Sequence, residues 1–164
     1  MCEFGRQTYG LDLRPDYFSA DLFAPSSFDL VTLWDVIEHI SEPNQILSDI
    51  ALVIDDNGHL ILNVPNSNST AARLLGRWWP FLLAVHIHYF TPKSIIEILD
   101  KHGFEVVESR PYFQSLGFGY LLKRSFGILG WKFKSSAVTS YLDKISFTYN
   151  LGQTTFVARK RKQP

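Results

Sequence analysis

Apolar residues along this chain follow two patterns. Short runs bounded by turn residues predict buried strands, and spacings of three or four predict helices packed on one face. Gln7 to Leu13 reads as a short buried strand ending in an acid, Asp12, and Asp16 to Leu22 as another. After a Pro25-Ser26-Ser27 turn, Phe28 to Trp34 (FDLVTLW) is a strong strand signal, part β-branched and apolar nearly throughout. A helix is expected from about Ser41 and Pro43, with Ile46, Leu47, Ile50 and Val53 facing inward. Asp55 to Gly58 reads as a turn, and His59 to Val64 as the next strand, stopped by Pro65-Asn66.

The second half is less regular. Ala71 to Arg77 has helical character and is followed by a dense aromatic stretch, RWWPFLLAVHIHYF. Thr91-Pro92 then opens a helix, because threonine caps a first turn and proline suits the first helical position. Ile95, Ile96 and Leu99 form its stripe, and Gly103 stands where a left-handed residue ends a helix. Phe104 begins a strand that runs toward Tyr112. Ser115 to Ser146 reads as one or two helices broken at Gly127 and Gly130, and Thr154 to Arg159 as a closing strand.

Strands alternating with helices imply an α/β fold, a doubly wound and mostly parallel sheet. At 164 residues, 46% of them hydrophobic, the chain suits one domain with a sizeable core. Sixteen basic and sixteen acidic residues cancel, so charge offers no footprint for nucleic acid. Cys2 is the single cysteine, which leaves no disulfide framework or thiolate metal site and suits a reducing, cytoplasmic setting. The first residues lack the apolar core of a signal peptide, and no run reaches the roughly 18 apolar residues of a membrane span.

Six short motifs occur in an order that carries more meaning than any one of them. They are Tyr9-Gly10-Leu11-Asp12, Ala20-Asp21-Leu22, Phe28-Asp29-Leu30-Val31 running to Val36-Ile37-Glu38-His39, Gly58 to Asn66, His88 to Pro92 with Gly103 to Val107, and Thr155 to Lys160. In this order and spacing the chain resembles class I S-adenosylmethionine (SAM)-dependent methyltransferases, the broad group that includes the ubiquinone-biosynthesis O-methyltransferases. The resemblance implies a Rossmann-like sheet with an antiparallel last strand, SAM as cofactor, and a small-molecule acceptor, methylated on oxygen. The family's first strand and its glycine-rich turn would precede Tyr9, where eight residues stand. The expectation is therefore a single domain over residues 1–164, incomplete at its N-terminus, without the first strand and its helix. Weak or no SAM binding follows, because those glycines let the backbone approach the cofactor closely. A non-catalytic, methyltransferase-like interaction module is the alternative.

Each candidate site residue has a functional and a structural reading. Asp12 is a ribose ligand or a turn residue before Arg14-Pro15. Asp21 and Leu22 resemble the pair that meets adenine, or else they cap a turn. Trp34 and Asp35 leave the family's fourth strand at its carboxyl end, where open α/β sheets bind ligands. Asp35, Glu38 and His39 are spaced to share one helical face if Asp35 opens the turn. His39 and His88 are candidate general bases, since imidazole titrates near neutrality. Glu38, His39 and His88 also resemble the set that holds a divalent ion in small-RNA 3′-end methyltransferases and some ubiquinone O-methyltransferases. The structural alternative buries His88 among Phe81, Tyr89 and Phe90. Residues 67–90 and 115–146 are expected to cap a substrate pocket, with an aromatic lining suited to a ring, a lipid tail or a membrane-surface substrate.

Overall fold

A computed structural model of the chain describes residues 2–117 and 146–162. Its centre is a four-stranded sheet made of β1 (Phe28–Trp34), β2 (Ile54–Pro65), β3 (Phe104–Pro111) and β6 (Gln153–Lys160), in the spatial order β1-β2-β6-β3. β1 and β2 are parallel, and the helix α2 (Pro43–Val53) makes the crossover that a parallel pair needs. β6 runs antiparallel to both β2 and β3, so three strands share one direction and the closing strand opposes them.

Alternation along the strands decides which face is core. Leu60, Leu62 and Val64 of β2, Phe156 and Ala158 of β6 and Phe104 of β3 are buried on one face. There they join Leu47 and Ile50 of α2 and Ile95 and Leu99 of α4 (Pro92–Lys101) in one cluster. α4 has both signals that the sequence predicts. Thr91 and Ser94 form a reciprocal capping box, and Gly103, at φ 80°, ends the helix in the left-handed region. Leu30 and Trp34 alternate to the other face of β1 and stay half exposed.

The strands expected at 28–34, 59–64, 104–112 and 154–159 all form, as does the helix after Ser41. β2 begins five residues earlier than expected. The Asp55–Gly58 turn is an insertion within it, with Asn57 at φ 74° and the pairing jumping from Phe28↔Ile54 to Leu30↔His59. Residues 71–77 are helical in two pieces, α3 (Thr70–Leu75) and a 3-10 turn at Gly76–Trp78.

Three expectations fail. The strand expected at 7–13 is replaced by the helix α1 (Cys2–Tyr9), with Leu11 to Arg14 irregular. Glu3 accepts from both Arg6 and Gln7, three and four residues on, and Gly10 at φ 65° returns its N–H to the Arg6 carbonyl. These local bonds satisfy a backbone that a strand would satisfy only beside a partner. Asp16 to Leu22 is likewise no strand: only Ala20–Leu22 is regular, as one 3-10 turn. In the segment expected to be helical from 115 to 146, the described ends are strands. β4 (Gln114–Gly117) pairs antiparallel with β5 (Ser146–Tyr149), and the remaining residues of that expectation, 118–145, lie outside the described ones.

Candidate active-site cleft

Where β1 ends, the chain turns sharply. Asp35 takes φ 50°, a left-handed conformation rare for a side chain with Cβ. Its N–H donates to the Asn63 carbonyl at 3.1 Å, and its Oδ1 accepts from Asn63 Nδ2 at 3.1 Å and Gln153 Nε2 at 2.6 Å. Asn63 and Gln153 are both buried. Gln153 accepts in turn from Gln114, whose amide oxygen accepts from Tyr149, so the strained turn is tied to the foot of the β4–β5 ribbon. Bonds of this number are what hold a strained residue in place.

A 3-10 turn, Ile37–His39, follows at once. Asp35, Glu38 and His39 do not share one face there: Asp35 and His39 are exposed, whereas Glu38 is 1% exposed. Neither oxygen of the Glu38 carboxylate has a hydrogen-bond partner among the described residues. Burial pushes its pKa above the ordinary glutamate range, with nearby Asp35 adding and its own amide dipole and His39 opposing.

The 85–88 segment docks on this turn through the backbone. The N–H groups of Ile87 and His88 both donate to the Glu38 carbonyl, at 2.9 and 3.2 Å. His39 Nδ1 lies 2.9 Å from the Val85 carbonyl, and His86 Nδ1 lies 2.8 Å from the Phe81 carbonyl. A carbonyl only accepts, so both imidazoles carry a proton on Nδ1, and in the neutral ring that leaves the lone pair on Nε2. The two rings meet edge to face with centroids 4.7 Å apart. One ligand atom from each of Glu38, His39 and His86 lies within 4.8 Å of the others. The histidine completing this group is His86, not the His88 expected from sequence. His88 is half-buried against Phe90, with ring centroids 5.7 Å apart and its buried Nε2 unpartnered.

Two cavities open beside these groups. One, of about 620 Å³, is lined by Asp16, Tyr17, Phe18, Asp35, Val36 and His39, and continues along the start of α2. The other, of about 650 Å³, is lined by Asp12, Arg14, Leu22, Phe23 and Phe28, and shares Asp16, Tyr17 and Phe18 with the first. Asp12 and Leu22 therefore reach one cavity, although Asp12 stands on an irregular segment and not at a strand end. Asp21 is exposed and is not part of that lining. Trp34 packs against Tyr112, centroids 5.6 Å apart, and lines neither cavity.

Asn63, Gln153 and His86 went unremarked in the sequence. A polar residue interrupting the apolar run ILNV was a usable signal for Asn63. Nothing local marks Gln153, because its partner Asp35 lies 118 residues away.

A family described as a methyltransferase domain matches residues 2–109. Solved structures that the chain resembles include the YcgJ protein of Bacillus subtilis, at TM-score 0.60 and 13% identity, covering 98% of this chain and 76% of that one. A SAM-dependent methyltransferase of Thermotoga maritima aligns at TM-score 0.52 and 18% identity, over 85% of this chain and 59% of that one. Another, from Archaeoglobus fulgidus, aligns at TM-score 0.51 and 14% identity, over 86% and 63%. The chain thus spans between 59% and 76% of the length of these three structures. No curated protein matches it.

Proposed function

Since the chain belongs to the SAM-dependent methyltransferase domain family, we propose that it serves methyl transfer to a hydroxyl of a small molecule held between Asp35 and His39. The observation that carries this reading is the strained Asp35 turn. It sits at the carboxyl end of β1, is clamped by Asn63 and Gln153, and shares its cavity with His39.

The cavity next to it fits the nucleoside half of the cofactor. Asp12 offers carboxylate oxygens to hydroxyls, and Leu22, Phe23 and Phe28 offer an apolar wall to a base. Bound SAM supplies an electrophilic methyl group. The remaining work falls to the chain's own residues. Asp35 orients the acceptor, with Oδ1 engaged by two amides. His39 takes the acceptor proton at Nε2, its Nδ1–H being held by the Val85 carbonyl. The joined cavities set the two reactants side by side, which removes much of the entropic barrier.

The test is transfer of labelled methyl to a set of phenols, alcohols and amines, with SAM supplied at concentrations high enough to load a weak site. Hydroxyl acceptors are expected to be labelled. His39→Ala is expected to lower turnover by roughly 10²-fold to 10⁴-fold, the range for a general base, with SAM affinity nearly unchanged. Labelling confined to amines would refute the oxygen assignment, and parallel loss of SAM binding would make His39 structural.

One observation favours a second reading of the same corner. The buried Glu38 carboxylate, unpartnered among the described residues, has an oxygen within 4.8 Å of a ring nitrogen of each of two imidazoles whose Nδ1 donates to a carbonyl. Glu38, His39 and His86 are suited to hold a zinc-like divalent ion, with the Val85 and Phe81 carbonyls fixing the tautomers behind the ligands. Such an ion would supply Lewis acidity, and His39 would be a ligand instead of a base.

A further inference from the structure

We propose that the outward side of residues 73–87 docks on an anionic lipid bilayer. Leu74, Trp78, Leu82, Val85 and Ile87 are each at least half exposed, Leu74 and Trp78 at 81% and 74%. They stand out because their neighbours already fill the inside. Trp79 is buried, with Nε1 donating to the Leu151 carbonyl at 2.6 Å, and His86 is buried, with Nδ1 on the Phe81 carbonyl. No small rotation hides Trp78 or Val85 without expelling those groups.

Charge identifies the partner. The chain is neutral overall, yet residues 57–96 contain Arg73, Arg77 and Lys93 and no aspartate or glutamate. Lys93 pairs with Glu97 at the edge of that stretch. Arg73 donates to the amide oxygen of Asn68, and Arg77 lies over the Trp78 ring at 5.0 Å. Among the described residues neither guanidinium meets a carboxylate. Unneutralised arginines beside an exposed indole and exposed aliphatics match a headgroup layer, with cations on the phosphates and apolar side chains at the acyl boundary. Nucleic acid would satisfy the arginines and leave the leucines in water. No helix among the described residues is long and apolar enough to cross a membrane. The Val85 carbonyl also holds His39, so a docked chain would carry its cleft near the lipid. That consequence rests on the function proposed above, whereas the docking does not.

The test is sedimentation of the chain with vesicles of phosphatidylcholine, alone or mixed with phosphatidylglycerol. Binding to the mixed vesicles is expected, with blue-shifted tryptophan emission and loss of binding in high salt. The pair Arg73→Gln and Arg77→Gln is expected to weaken it on the order of tenfold. The pair Trp78→Ser and Leu82→Ser should abolish the emission shift with an unchanged thermal melt. Equal binding to neutral vesicles, or variants that bind as the parent does, would overturn the proposal. So would a self-associated chain that Trp78→Ser converts to monomers, or single-stranded nucleic acid displacing the vesicles from the parent and from Trp78→Ser alike.

Discussion

Glu38 concentrates the chemistry of the cleft in one side chain. Its folded pKa is raised by burial, so the native state holds that proton more tightly than the unfolded chain does. The stability linked to this group is complete below the unfolded value of about 4.3 and is lost as pH rises through the raised folded value. Glu38→Gln, free of metal, is therefore expected to lose less stability than the parent as pH rises above the ordinary glutamate range. The difference between the two melting temperatures should change with pH in that direction and level off in acid. If Glu38, His39 and His86 hold an ion, added zinc should raise the parent's melting temperature and leave the variant's unmoved. No response of the parent removes the ion reading, and a difference independent of pH in chelator contradicts the burial penalty. The sequence exposed Glu38 and His39 because they follow a strong strand signal directly. It pointed to His88 for the third place, where the structure brings His86. That outcome depends on the Glu38 carbonyl accepting from Ile87 and His88, a contact nearly fifty residues distant.

Elements were legible where their signals were local. The Thr91-Pro92 cap, the Ile95 and Leu99 stripe and Gly103 define α4 without reference to the rest of the chain. Thr91→Ala is accordingly expected to cost about 0.5–2 kcal/mol in denaturant unfolding, since it removes an acceptor for the Ser94 N–H. A change within a few tenths would mean that the cap contributes nothing. The segment before β1 misled for the complementary reason. Gln7 to Leu13 has a strand's composition, but a strand requires a partner, and Glu3, Arg6 and Gln7 offer each other bonds within one helical turn. β4 misled similarly. Ser115 opens the helix predicted from the sequence, whereas Thr148, more than thirty residues on, draws it into a ribbon.

At the scale of the whole molecule, three parallel strands and one opposing strand place the β1 exit, Asn63 and Gln153 at one end of the sheet. The alternation of strands and helices predicted a mostly parallel sheet, and the resemblance to the methyltransferases implied its opposing last strand. The central claim is that this end binds the cofactor's nucleoside beside the Asp35 and His39 cavity. Its most direct test is a titration of isotopically labelled chain with S-adenosylhomocysteine, following backbone amides by NMR, which detects weak binding as well as tight. Saturable shifts are predicted at Asp12, Tyr17, Leu22, Asp35 and His39, which line the two joined cavities. Shifts gathered instead around Ile96, Asp100, Val107 and Arg161, at the cavity between α4 and β3, would contradict the account, as would no shift at any residue from 12 to 39.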